Sequence, residues 1–311
     1  MTISPAITIQ NLRKTYGTVE ALKGIDLEIQ PGEIFALLGP NGAGKTTTIE
    51  ILEGHRAPTS GSVSVLGFKP NERVHEFRER IGIVLQETTV DGYLTVRETV
   101  DLFSSYYSRP RNTDEILEIV GLESQRTSLA RRLSGGQKRR LDVAIGLIGN
   151  PEILFLDEPT TGFDPQARRA AWEMVQRLEE LGCTVLLTTH YMEEAEFLAT
   201  RIAIMADGQI IASGTTPDLR QKYTGSQISF QVDPRFNSII NESKAVKDNS
   251  LDLFDDTFIL RTSDPTPALH HLTSAAINNN FKLDNLAVRQ ATLEDIYLSI
   301  LDTHQKNQAT Q

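Results

Sequence analysis

The sequence predicts an α/β fold built on a mainly parallel sheet, followed by a second and smaller α/β unit. Three observations carry this expectation. The run at 34–38 is continuously apolar and 153–156 repeats the pattern, as in strands buried on both faces, and 185–189 reads as a third core strand. Segments with helical spacing separate those runs, as in successive βαβ units. After about Leu219 the pattern shifts to shorter elements, with strands expected at 228–232 and 257–260 and helices at 266–277 and 293–301.

The elements follow in order. Ile7, Ile9 and Leu12, then Ile25, Leu27 and Ile29, stand at strand spacing, and Pro31-Gly32 marks a turn before the first buried run. That run ends in glycines, and 46–52 returns to helical spacing. From about 88 to 149 the pattern is mainly helical, with Ile116, Leu117, Val120 and Leu122 spaced for one buried face. Asn150-Pro151 precedes the second buried strand. Asp164 then offers an N-cap and Pro165 a first helical residue. The helix they open carries Ala171, Met174, Val175, Leu178 and Leu181 on one face, and Gly182 closes it. Asn278-Asn279-Asn280 reads as a turn, and the polar end at 303–311 as a disordered tail. The expected layout is one domain over 1–220, with a helical part at about 88–150, and a second domain over 225–302.

Composition narrows the function. At 311 residues the chain exceeds one small core. Its formal net charge of −10 argues against general affinity for nucleic acid, which calls for a clustered basic face. The single cysteine, Cys183, has no internal disulfide partner and is expected as a small residue at the mouth of a buried strand. The N-terminal residues lack a signal pattern, and no run approaches the roughly 18 to 20 apolar residues of a membrane span. A cytoplasmic chain that does not itself cross a membrane is the expectation.

The first chemical motif is Gly39-Pro40-Asn41-Gly42-Ala43-Gly44-Lys45-Thr46, followed by Thr47, set between an expected strand and an expected helix. This is a complete phosphate-binding P-loop pattern. Its glycines let backbone N–H groups converge on phosphates while the next helix presents its positive end to the same anion. Lys45 is placed to reach the outer phosphates and Thr46 to ligate Mg²⁺. The second motif is the apolar strand at 153–156 running into Asp157 and Glu158. In a P-loop sheet that strand end lies beside the nucleotide, so Asp157 can hold Mg²⁺ and Glu158 can polarise the attacking water.

Further residues pass from a general nucleotide binder to a family. Leu133-Ser134-Gly135-Gly136-Gln137 resembles the signature motif of ABC ATPases. Gln86 is similar to that family's Q-loop residue, Gly162-Phe163-Asp164 to its D-loop, His190 to its switch histidine and Tyr16 to the aromatic that stacks on adenine. The resemblance covers residues 7 to about 217. It implies a P-loop NTPase core of ABC ATPase type, with a small antiparallel β subdomain and a helical subdomain. It also implies roles: Gln86 near the Mg²⁺ or the attacking water, His190 at the γ-phosphate, and Ser134 and Gly136 on the γ-phosphate held by an opposite subunit. Two copies, or this chain and a related ATPase subunit, bound through ATP and Mg²⁺, would then complete each other's sites. Phe163 stands where the family has leucine, and both are apolar. Lys138-Arg139-Arg140 is expected as a solvated or partner-facing basic turn.

The stretch at 86–100, the run Asp164-Pro165-Gln166-Ala167-Arg168 and the ending Ala291-Thr292-Leu293-Glu294-Asp295-Ile296-Tyr297 resemble the daunorubicin-resistance-like branch of the family. That branch implies an ABC-2-type multi-span membrane partner and export of a drug, lipid or polysaccharide. Tyr93 and Leu94 are candidate apolar anchors for a partner helix. Import, or a soluble ABC ATPase acting on ribosomes or DNA, are the competing readings. The second lacks its usual marks: the chain carries one motif set, and 89 positions separate Lys45 from Ser134, too few for a long coiled-coil insertion. His270-His271, adjacent on an expected helix, reads as solvent-exposed rather than as a metal pair.

Overall fold

The computed structural model describes residues 4–72, 74–84, 90–223, 226–247, 249–254 and 256–309. The chain forms two compact units, Met1–Ser213 and Gly214–Gln311.

In the first unit, β1 (Ile7–Tyr16) and β2 (Val19–Ile29) form an antiparallel hairpin with Tyr16 opposite Val19. The turn between them places Gly17 at φ 57°, a conformation that a two-residue hairpin loop demands. The alternation of the two strands buries Ile7, Ile9, Leu12, Ile25, Leu27 and Ile29 on one side. β3 (Ile34–Leu38) is buried at every residue and leads through the glycine loop into α1 (Lys45–Leu52). β4 (Ser60–Val65) adds to the hairpin, giving a three-stranded antiparallel sheet of order β2-β1-β4.

A short α2 (His75–Glu79) and β5 (Ile81–Val84) bring the chain to its helical segment. There α3 (Val96–Ser104) starts at a Thr95/Glu98 capping box, and α4 (Thr113–Ile119) is capped by Asn112. Ile116, Leu117, Val120 and Leu122 are all buried, as their spacing predicted. The third helix, α5 (Gly135–Leu147), packs on β5, α3 and α4.

The chain then returns to the central sheet through β6 (Ile153–Asp157), α6 (Pro165–Glu180), β7 (Thr184–Thr189), α7 (Met192–Leu198), β8 (Arg201–Ala206) and β9 (Gln209–Gly214). The six strands are ordered β5-β6-β7-β3-β8-β9, and the pairs β5/β6, β6/β7, β7/β3 and β3/β8 are parallel. β7 therefore sits between β3 and β6, so the glycine loop and the Asp157 strand end flank its last residues. Phe35, Leu37, Phe155, Leu186 and Met205 share one core with Ile49 and Leu52 of α1 and with the hairpin. Asp164 caps α6 by accepting from Ala167 N at 2.8 Å, and Gly182 adopts φ 74° just beyond its end. Leu181 departs from the expected buried face: it is the C-cap residue and 42% exposed, because the chain has already left the helix there.

The second unit begins with α8 (Thr216–Tyr223) and continues through β10 (Ser226–Gln231), α9 (Asn237–Glu242), α10 (Lys244–Lys247), β11 (Ser250–Phe254), β12 (Thr257–Thr262), α11 (Pro265–Asn278), β13 (Asp284–Gln290) and α12 (Leu293–Ala309). Its antiparallel sheet has the order β11-β12-β10-β13. Ile228, Phe230, Phe258 and Leu260 pack against Leu272 and Ala276 of α11. Neither edge strand was predicted, and β13 shows why: all seven of its residues are exposed, so no burial imposes an alternation. Residues 303–309, expected as a disordered tail, continue α12, since no glycine or proline after Leu293 interrupts it.

At the C-terminal end of α1 the Glu53 side chain is nearly fully buried, with His55 Nδ1 3.1 Å from its carboxylate. Burial, reinforced by the negative charges of Asp157 and Glu50, pushes its pKa from an ordinary 4.5 up to about 8. Between those values the folded chain holds a proton that the unfolded chain releases, so this group lowers stability as pH rises through the window. In nucleotide-free protein, Glu53→Gln should raise the Tm at pH 8 by a few degrees and have little effect near pH 5. Calorimetry at the two pH values checks this, and an equal shift at both would exclude the carboxyl as its source.

Candidate functional site

The glycine loop is shaped by close packing on one side and by backbone conformation on the other. At Gly39 a Cβ would lie 2.4 Å from the Met205 carbonyl oxygen. Gly44 caps α1 at φ 104°, in the left-handed region, and a Cβ there would lie 2.7 Å from Leu22 Cδ2. Lys45 opens the helix and is 4% exposed. Its ammonium donates to the carbonyls of Gly39 at 2.8 Å and Pro40 at 3.2 Å. Burial lowers its pKa, while Glu158 and Asp157 pull the other way.

One residue of β7, Thr188, organises the opposite wall. Thr188 Oγ1 donates to Asp157 Oδ1 and accepts from Glu158 N at 3.1 Å. Glu158 itself adopts φ 45°, a left-handed conformation that a long side chain rarely takes. The bend directs its carboxylate back into the cavity: Oε1 lies 3.9 Å from Lys45 Nζ and 3.3 Å from His190 Nδ1, and Oε2 accepts from Thr161 Oγ1 at 3.0 Å. The His190 ring packs on Tyr191 at 4.1 Å between centroids.

Tyr16, Asn41, Gly42, Gly44, Lys45, Thr46, Thr47, Asp157 and Glu158 line one cavity of about 530 Å³. At its rim the Tyr16 ring is flanked by Lys14 Nζ at 5.1 Å and the Arg56 guanidinium at 5.5 Å from its centroid. Ser134, Gly136, Gln137 and Asp164 are not among these residues. They line a separate cleft of about 300 Å³ between α5 and α6. Gly135 is the first residue of α5, and Ser134 and Gln137 form a reciprocal capping box there: Ser134 Oγ accepts from Gln137 N at 3.3 Å and Gln137 Oε1 from Ser134 N at 3.0 Å. Gln86 lies outside the described residues.

The basic run after the signature differs from expectation. Lys138 is exposed, but Arg139 is 7% exposed and donates to the carbonyls of Pro159 and Asp157, each at 3.1 Å. Helical geometry turns this one side chain inward, where it binds the chain on both sides of Glu158. Sequence reasoning also passed over Thr188, Thr160 and Glu194. The only local signal for Thr188 was a polar pair ending an otherwise apolar strand.

Comparison with known proteins matches this geometry to a family. The ABC transporter family model matches residues 22–161. The Nod factor export ATP-binding protein I of Burkholderia thailandensis is 36% identical over 307 residues, covering 96% of this chain and 98% of that protein. The linearmycin resistance ATP-binding protein of Bacillus subtilis is 36% identical over 304 residues, covering 94% and 96%. Among solved structures, a bacterial ABC transporter cassette in dimeric form superposes with TM-score 0.60 at 30% identity, covering 67% of this chain and 98% of the other. The same cassette in a post-hydrolysis state bound to ADP and phosphate matches at 29% identity and TM-score 0.60, with the same coverage. The chain belongs to the ABC transporter ATPases and is the subunit that binds and hydrolyses ATP.

Proposed function

We propose that this ATPase powers export through a separate ABC-2-type membrane subunit, as one of two identical engines on the cytoplasmic face of the cell membrane. One observation carries the catalytic part of the reading: Glu158 Oε1 stands between Lys45 Nζ and His190 Nδ1, at the mouth of the P-loop. In the proposed step Glu158 takes a proton from water as its oxygen bonds to the γ-phosphorus, and the bond to the β-phosphate oxygen breaks to release ADP. Lys45 and the P-loop amides, from Gly39 to Thr47, hold the phosphates. His190 steadies the γ-phosphate, and Tyr16 stacks on the adenine.

The donor chemistry of the cavity suits Mg²⁺, because the Thr46 hydroxyl and the Asp157 carboxylate are hard oxygen ligands lining the same space. Both are assigned to that ion, with Gln86 as a third ligand, and the ion would neutralise charge on the β- and γ-phosphates.

Cassettes of this family dimerise and pair with membrane subunits. A composite site is supported here by the separation of the two clefts: Ser134, Gly135, Gly136, Gln137 and Asp164 stand apart from the P-loop cavity, where a second copy could present its nucleotide. ATP then joins two chains, and hydrolysis releases them. Among the described residues no helix is long and apolar enough to cross a membrane, so the passage is assigned to the partner. Tyr93, 74% exposed, remains the candidate anchor for that partner, with Leu94 beside it. Export is supported by relatives named for Nod factor export and linearmycin resistance that align with 94–96% of the chain. A drug, lipid or polysaccharide is the cargo class this favours. We assign the ATPase to residues 1–220, its helical part to about 88–150, and a separate domain to 225–302.

Glu158→Gln should bind ATP, lose about 100-fold or more in turnover and accumulate as an ATP-bound dimer. Phosphate release and size-exclusion chromatography with ATP read both effects, and near-normal turnover would remove Glu158 as the base. Lys45→Ala should weaken ATP binding at least about tenfold by equilibrium titration, and unchanged affinity would count against the P-loop assignment. Purified from native membranes, the chain should carry a multi-span subunit of ABC-2 type; ribosomes or DNA in its place would overturn the transport reading.

A further inference from the structure

One buried acid takes no part in the chemistry described so far. Glu194, on α7, is 1% exposed. Its Oε1 accepts two hydrogen bonds, from Thr160 Oγ1 at 2.7 Å and from Trp172 Nε1 at 3.0 Å. Its Oε2 has no hydrogen-bond partner among the described residues. A carboxylate kept in the interior with half its acceptor capacity unused is costly, and an apolar side chain would fill the same space with less penalty.

What the carboxylate joins explains its placement. Thr160 lies two residues beyond Glu158, in the turn that leads to α6. Trp172 lies on α6, and its ring packs on Phe197 of α7 at 5.1 Å between centroids. Glu194 itself follows His190 by four residues, on the helix that leaves the end of β7. A single oxygen thus ties the turn after Glu158 to the helix after His190. Arg139 braces the same turn from the side of α5 through the carbonyls of Asp157 and Pro159, and its guanidinium interacts electrostatically with Glu194.

The turn needs such bracing. Glu158 sits at φ 45°, and a side-chain-bearing residue stays in that region only where its surroundings over-determine it. Its amide is held by the Thr188 hydroxyl, and its carbonyl accepts from Thr161 N at 3.3 Å. Beyond the Pro159 carbonyl that Arg139 holds, Thr160 is the next point of attachment, and its hydroxyl is held by Glu194.

We propose that Glu194 is a positioning residue: through Thr160 it keeps Glu158 in register with His190 for the hydrolytic step. The inference rests on the roles proposed above for those two residues. Glu194 does not line the nucleotide cavity, and Lys45 with its loop is carried by β3 and α1, on the opposite wall. Loss of the tie therefore acts on turnover and leaves nucleotide capture intact.

ATP hydrolysis by the full chain tests this with four variants. Thr160→Val removes one hydrogen bond at constant volume, and Glu194→Ala removes both. Glu194→Gln keeps a carbonyl acceptor for both donors. Thr160→Val and Glu194→Ala should each lower kcat about 10- to 100-fold, as expected for a misplaced reacting group, with KM for ATP within about twofold. Glu194→Gln should recover most of the loss. The Thr160→Val/Glu194→Ala double variant should fall no further than Glu194→Ala alone, because the two residues act as one unit. Unchanged kcat in Thr160→Val, strictly additive losses, or a rise in KM that accounts for the whole effect would each overturn the proposal; should Glu194→Ala fail to fold, Thr160→Val decides it. Glu158→Gln, assayed alongside, separates the two claims. If it retains turnover, the reading of the site fails. If it collapses while Thr160→Val keeps full kcat, only the role of Glu194 fails.

Discussion

An ammonium group buried almost completely at the start of a helix has to be compensated, and much of the first unit is arranged to compensate Lys45. The carbonyls of Gly39 and Pro40 accept from it directly, which requires the loop to fold back over its own helix. Gly44 permits that fold by taking a backbone conformation that side chains avoid, and Gly39 lets the loop lie against Met205 on β8. Two carboxylates supply the opposite charge, and both come from the end of β6. Those carboxylates reach the loop because one strand, β7, separates β3 from β6 and contributes Thr188 between them.

The same compensation leaves the cavity ready for a different partner. Nothing in the loop is specific to its own carbonyls: an anion placed there meets the ammonium, the amides of a glycine-rich turn and the positive end of α1. Glu158 stands at the opposite wall, its Oε1 3.9 Å from Lys45 Nζ. Its left-handed backbone is held by contacts from β7 and from the turn that follows, so the geometry of one residue is shared among several elements.

The proposed half-site character of the chain has an equally physical basis. The signature helix α5 begins at a satisfied capping box, facing a cleft of its own rather than the P-loop cavity. In the function proposed above, one copy holds one set of phosphate ligands and one separate helix terminus, and association supplies what each lacks. The second unit has a core of its own, with a four-stranded sheet packed against α11.

Local patterns determined much of this protein. Strand alternation located the β1–β2 hairpin, apolar stretches located β3, β6 and most of β7, and Asp164-Pro165 located the start of α6. Each depends on neighbours in sequence, through side-chain period or capping, and so is legible without the fold. The P-loop and the Asp157-Glu158 pair were equally legible, because both sit at strand ends that sequence can recognise. Tertiary structure alone decided which side chains of ambiguous pattern turn inward. Arg139 sits in a basic run that reads as solvated, yet packing of α5 against the β6 end buries it. Glu194 stands beside the exposed Glu193 with no local mark of burial, and the approach of α6 encloses it. Strand β13, exposed throughout, pairs with β10 by backbone hydrogen bonding that no side-chain pattern announces. In each case the deciding partner lies far away along the chain, and periodicity cannot register a contact made at that distance.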